Sequence, residues 1–174
     1  EIYSIDESFL NFDGLKSPLA LSRRIREIVR RWTGIPISIG LGPTKTLSKL
    51  ANRLSKKDGL GCLEIRETDS EVLSQVEVED IWGVGRRLGI RLRRIGVCNA
   101  LGLTKAPSSA IRSVGGVTLE RTQRELGGLR CIGMEEAPKP KQNTCSSRSF
   151  GKPVTDLEDL EEAVANYAVK AGGK

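Results

Sequence analysis

The stretch IYSIDESF, residues 2–9, decides how the rest of the chain is read, because it sets two adjacent carboxylates, Asp6 and Glu7, in a run rich in β-branched and aromatic residues. In a strand, successive side chains point to opposite faces, so Ser4, Asp6 and Ser8 share one side while Tyr3, Ile5 and Glu7 share the other. Neighbouring carboxylates therefore meet at one metal only where the backbone bends or the strand ends. SFLNFDG, residues 8–14, supplies a second alternating segment, so an antiparallel hairpin is expected. Magnesium takes oxygen ligands and keeps several waters, so one or two carboxylates plus substrate phosphates suffice to hold it. An ordinary solvated turn would show the same pair.

Composition narrows the setting. A chain of 174 residues has room for one ordinary domain or two small ones, and an aromatic content of 4% predicts small lobes rather than one large globule. Cys62, Cys98, Cys131 and Cys145 are widely spaced and there is no histidine, so no zinc-type spacing exists and a reduced setting is expected. No apolar run reaches the ~18 residues of a membrane span, and no signal-peptide pattern opens the chain. A cytoplasmic protein with no membrane partner is the expectation. The first residue is Glu1 and the last segment, AVKAGGK, stops just after a helical pattern, so both ends read as cut, with the remainder of any active site expected upstream.

The net charge of +6 is moderate, but residues 81–119 contain no Asp or Glu while holding Arg86, Arg87, Arg91, Arg93, Arg94, Lys105 and Arg112. A polyanion partner is the natural reading. Along the chain, Ser17 and Pro18 signal a helix start, and Leu21, Ile25, Ile28, Val29 and Trp32 form one apolar face that Gly34 ends. IPISIGLG, residues 35–42, reads as a buried strand, a second helix begins near Thr44, and CLEI, residues 62–65, reads as another strand. Short helices follow at residues 71–76, behind the Gly-Val-Gly turn, and at 99–104, 107–113 and 117–126. APKPKQNT, residues 137–144, reads as a linker, SRSFGKPV as a strand, and residues 155–170 as a helix.

Two further segments carry chemistry. IWGVG, residues 81–85, lies between short helices and has the form of a helix-hairpin-helix turn: Gly83, Val84 and Gly85 expose backbone N–H groups to a phosphate, with Arg86 and Arg87 in the following first turn. Such contacts grip a DNA backbone without reading bases. In GPTKTLSK, residues 42–49, Thr44 caps a helix whose first turn carries Lys45, which aims N–H groups and an ammonium at one place suited to a triphosphate. The spacing is not that of a P-loop.

YSIDES, IGLGPTKTLSKLAN, VEDIWGVGRRLGIRLRRIGV, TLERTQRELGG and CSSRSFGKPVTD, in this order, resemble a Y-family translesion DNA polymerase, most closely the UmuC-like branch that provides the catalytic subunit of bacterial DNA polymerase V. The resemblance implies an α+β fold: a partial palm of antiparallel strands with helices over residues 1–66, an all-helical thumb with the helix-hairpin-helix over 67–137, a linker at 138–145 and the start of a little finger over 146–174. It implies that Asp6 and Glu7 are catalytic and bind metal, two Mg2+ ions in a complete site with Mn2+ as a possible substitute. It maps triphosphate binding onto Thr44 and Lys45, and DNA binding onto Gly83, Val84, Gly85, Arg86 and Arg87.

Error-prone translesion synthesis in the SOS response is the implied activity, with primer-template DNA and deoxynucleoside triphosphates as substrates. The RecA filament, the processed UmuD dimer and the sliding clamp are the implied partners. The family's first catalytic aspartate, steric gate and fingers precede the SIDE strand, so this chain is expected to be inactive alone. Two other classes stay open: a non-catalytic DNA-binding module, and a metal-dependent nuclease or cyclase palm.

Overall fold

The computed structural model describes residues 1–135 and 143–173 and divides the chain into two units, the first being Glu1–Glu135. In the first unit α1, Pro18–Thr33, begins with proline at its first turn and ends on Gly34, whose φ of 73° supplies the left-handed cap. Ser17 holds the N-cap position without a side-chain hydrogen bond. Strand β1, Ile39–Leu41, leads into α2, Lys45–Lys57, and then into β2, Cys62–Glu64. Here the structure corrects the expected antiparallel palm: β1 and β2 pair in parallel, with Ile39 opposite Cys62 and Leu41 opposite Glu64. A helix between two strands returns the chain in the same direction, so a β-α-β passage gives a parallel pair.

The sheet and α2 approach each other through glycines. A Cβ added to Gly40 would lie 2.1 Å from the Asn52 backbone nitrogen and 2.1 Å from the Ser48 carbonyl oxygen, and one on Gly42 would lie 2.8 Å from Leu47 Cβ. Helix backbone thus packs directly on strand backbone. The apolar face of α1 is less covered than its sequence suggests, since Trp32 is 80% exposed and Ile25 and Val29 line an open groove.

The helical part comprises α3 (Ser70–Gln75), a 3-10 turn at Val78–Asp80, α4 (Arg86–Arg94), α5 (Ala100–Lys105) and α6 (Ser108–Leu126). Two helices were expected where α6 runs, and Gly116, with φ 69° and ψ −166°, breaks α6 between them. One continuous core serves both halves of this unit: Leu47, Leu50 and Ile65 belong to the same buried cluster as Leu73, Leu92, Leu103 and Leu126.

The second unit is described from Asn143 to Gly173 and contains α7, Leu157–Gly172, capped by the Asp156 carboxylate, which accepts from the Glu158 amide at 3.1 Å. The SRSFGKPV segment is not a strand, because among the described residues of this unit no second strand offers it a hydrogen-bonded edge. Residues 137–142 of the expected linker lie outside the described residues.

The end of α6 is tied to the start of α2 by one carboxylate. Glu125 is fully buried, and its Oε2 accepts from the Thr46 amide at 3.0 Å and the Thr46 hydroxyl at 3.1 Å. Its Oε1 accepts from the amides of Cys131 at 2.8 Å and Ile132 at 2.9 Å. Glu125→Ala leaves the buried Thr46 donors and the part-buried amides of Cys131 and Ile132 without their acceptor and is expected to destabilise the chain by about 3 kcal/mol, with Glu125→Gln milder because one amide oxygen still accepts. Urea unfolding followed by far-UV circular dichroism checks this, and equal stability of wild type and Glu125→Ala would contradict it.

Candidate functional site

The carboxylate segment is a tight hairpin rather than two full strands. Ile2 and Ser8 form an isolated antiparallel bridge, the amides of Tyr3 and Ser4 donate to the Glu7 carbonyl at 2.9 and 3.0 Å, and the Phe9 amide donates to the Glu1 carbonyl at 2.8 Å. The turn therefore falls within YSIDES itself, earlier than alternation placed it, because the Ser4 hydroxyl bonds Asp6 and closes the loop. That hydroxyl donates to the Asp6 carboxylate at 2.7 Å and accepts from the Asp6 amide at 3.4 Å. The Ser4 hydroxyl holds the exposed Asp6 carboxyl below the usual aspartate range, with Lys56 and Lys49 adding smaller attractions.

Asp6 and Glu7 are engaged differently. Glu7 is partly buried and pairs with the Lys49 ammonium at 2.5 Å, whereas Asp6 faces solvent. Both offer the hard oxygens that Mg2+ or Mn2+ prefers, so the donor chemistry fits a divalent cation, and phosphate oxygens would have to complete its shell. Among the described residues no cluster of three or more His, Cys, Asp or Glu side chains stands ready as a metal site.

The capped helix forms as its sequence indicates, with Thr44 accepting from the Leu47 amide at 3.2 Å. The same hydroxyl donates to the Glu125 carbonyl at 2.8 Å, and Thr44 is buried. Lys45 is also buried: its ammonium pairs with the Glu1 carboxylate, donates to the Gly133 carbonyl at 2.7 Å and lies 4.9 Å from the Phe9 ring centre. The chain itself thus occupies the place where a triphosphate was expected. The hydrogen bond from Lys45 holds the Glu1 carboxyl below its ordinary value, outweighing the burial that pushes it up.

A broad groove of about 1440 Å³ runs past these groups, lined by Asp6, Glu7, Phe9, Lys45, Lys49 and Ile25 among others. Sequence reasoning missed a clamp at its rim. Arg130 makes a fork to Asp13, with distances of 2.8 and 2.7 Å, and its Nε donates to the Pro43 carbonyl at 2.8 Å. Nothing local marks this pair, since 117 positions separate the partners.

The glycine turn forms, but the Val84 amide donates to the Ile81 carbonyl at 3.0 Å and is not free for a phosphate. Gly83 has φ 85°, Val84 is buried, and Gly85 is the N-cap of α4. The first-turn amides of Arg86 and Arg87 have no intrahelical acceptor, and both arginines are exposed. Arg93 is withdrawn from any such surface, because Glu79 and Glu77 bind it at 2.8 and 3.1 Å; the Arg93 guanidinium holds the Glu79 carboxyl below its usual range. Among the described residues Arg86, Arg87, Arg91, Arg94 and Lys105 have no carboxylate partner.

The fold resembles that of a solved Y-family DNA polymerase chimera of Dbh and Dpo4, with TM-score 0.63 at 18% identity, over 90% of this chain and 45% of that one. Residues 1–53 match the model of the impB/mucB/samB family. Over its whole length the chain is 44% identical to Protein SamB and 41% identical to Protein UmuC, both of Salmonella typhimurium, and it spans 43% of the length of each.

The fork on Asp13 carries a pH consequence. Hydrogen bonding by Arg130 lowers the Asp13 carboxyl below the usual aspartate value, so the clamp's stabilisation is present above that usual value and is lost as pH falls through the depressed one. A carboxyl-detected NMR titration should place Asp13 below ~3.9, and Arg130→Ala should move it back up. An unchanged midpoint in Arg130→Ala would remove the assignment.

Proposed function

We propose that this chain is part of a DNA-templated nucleotidyltransferase that copies damaged templates. In a protein of the relatives' full length, a primer 3′-hydroxyl would attack the α-phosphate of an incoming deoxynucleoside triphosphate and release pyrophosphate. The observation that carries the reading is spatial: the Asp6–Glu7 hairpin, the capped start of α2 and the glycine turn with its unpaired arginines belong to one unit, and hairpin and turn touch through aromatic side chains.

Asp6 and Glu7 would hold the divalent cation, Mg2+ or Mn2+, which when bound polarises phosphate oxygens. Lys45 would reach the triphosphate by exchanging its Glu1 and Gly133 partners for phosphate oxygens, and Thr44 would hold the helix start that carries it. Gly83, Gly85, Arg86 and Arg87 would grip the duplex by its backbone. The finer domain reading of palm, thumb, linker and little finger belongs to this proposal, as do the SOS role, a cytoplasmic site of action, and RecA, processed UmuD and the sliding clamp as partners. No helix among the described residues is long and apolar enough to cross a membrane.

A second reading, a DNA-binding module without catalysis, draws support from the internal pairing of Lys45 with Glu1 and Lys49 with Glu7. Primer extension separates the two. In the full-length protein, Asp6→Ala and Glu7→Ala should each abolish extension while leaving duplex affinity within a few-fold, and Lys45→Ala should weaken nucleotide use more than DNA binding. Undiminished extension in Asp6→Ala would sink the catalytic assignment.

Duplex binding by the 174-residue chain is expected to be sequence-tolerant and steeply salt-dependent, losing about 0.9 log units of affinity per log unit of salt for each phosphate neutralised. Replacing Arg86 and Arg87 together with Ala should flatten that slope by about 2. Fluorescence anisotropy with two unrelated duplexes checks both points, and a strong preference for one sequence would contradict a backbone grip.

A further inference from the structure

Trp82 stands in the glycine turn, yet its ring packs against the carboxylate hairpin. Its centre lies 5.5 Å from Tyr3 at an interplanar angle of 82°, and 6.0 Å from Phe9 at 47°. Tyr3 and Phe9 meet each other at 5.7 Å and 73°. Edge-to-face contacts set the positive rim of one ring on the negative face of another, so they fix orientation as well as distance.

Charge is layered onto the same cluster. The Lys49 ammonium lies 5.5 Å from the Tyr3 ring centre and 6.0 Å from that of Trp82 while pairing with Glu7 at 2.5 Å. Cation–π attraction and the ion pair therefore pull on one lysine from both sides, which links the turn to the carboxylate. The two ring-bearing positions of the hairpin also bracket its tip, since Tyr3 and Phe9 donate the amides that close it. The aliphatic side chains of the hairpin add little, since Ile2 is 88% exposed and Ile5 fully so. On the turn side, Ile81 and Val84 are buried in the core on either side of Trp82, so the indole is presented from a fixed base.

We propose that Trp82 is a positioning residue that couples phosphate-backbone binding at the glycine turn to the ordering of the Asp6–Glu7 hairpin. This rests on the reading of the turn as a DNA contact. When a duplex holds the turn, Trp82 loses freedom, and the Tyr3 and Phe9 rings packed on it lose freedom in step, so the carboxylates are set when DNA is present. Lys49, held between Glu7 and the rings, keeps the Glu7 carboxylate turned toward the cluster.

Amide hydrogen exchange on the 174-residue chain tests the coupling, read at Tyr3, Ser4 and Phe9 with and without saturating duplex DNA. The duplex should slow these amides about three- to tenfold in the wild type, the range that aromatic contacts of this kind support. Trp82→Ala at its own saturating duplex concentration should lose the slowing, Trp82→Phe should keep most of it, and Tyr3→Leu, which breaks the same contact from the hairpin side, should lose it as well. Retained slowing in both Trp82→Ala and Tyr3→Leu would overturn the coupling. So would a wild-type chain that binds duplex with no change at the hairpin, which would leave the DNA reading standing. A wild-type chain that binds no duplex would overturn the DNA reading and the coupling together. Should Trp82→Ala fail to fold, the Tyr3→Leu and Trp82→Phe pair decides the matter.

Discussion

The Glu125 carboxylate is the constraint on which the first unit depends. A buried anion is tolerated only where donors surround it, and Glu125 has them from two directions, the start of α2 and the segment after α6. It thereby joins residues that are 79 positions apart in sequence and sets the register between the β-α-β part and the helical part. The Thr44 hydroxyl repeats the link by donating to the Glu125 carbonyl. Because these bonds lie at the N-terminus of α2, they also stabilise that end of the helix dipole and fix where Lys45 leaves the backbone. The geometry of the candidate site is thus inherited from a group that takes no part in its chemistry.

The basic side chains divide into two populations with different tasks. Lys45, Lys49, Arg93 and Arg130 are bound to carboxylates of the chain itself and hold segments together. Arg86, Arg87, Arg91 and Arg94 have no such partner among the described residues and are exposed on and around α4. Net charge alone does not distinguish these populations. The acid-free interval does so for α4 in part, since a carboxylate has to come from outside the interval to capture an arginine within it, as Glu77, Glu79 and Glu120 do.

Local chemistry made much of the fold legible. Pro18 and Gly34 bound α1, Thr44 caps α2, and Gly83 with Gly85 shape the turn, because each acts within a few residues of its own position. The candidate carboxylates, the capped lysine and the arginines were legible for the same reason. Partners distant in sequence were not. Alternation marks a strand without naming its neighbour, so the parallel pairing of β1 with β2 and the missing strand at SRSFGKPV were beyond it. Glu125 reads as an ordinary polar position on a helix, and Arg130 as one more surface cation. The ring cluster was hidden because Tyr3 and Trp82 come from different halves of the unit.

The close approach of α2 to β1 has a consequence for how this protein can change over generations. At Gly40 the helix backbone occupies the volume that any side chain would need, and at Gly42 it nearly does. Every missense change in a glycine codon introduces at least a Cβ, so point mutation offers no neutral path away from Gly40. Ile39 and Leu41, half-buried on the other face, can exchange among apolar residues with modest loss. Variation in this strand is therefore channelled into alternate positions, and the spacing of helix and sheet that carries Thr44 and Lys45 is sheltered from drift.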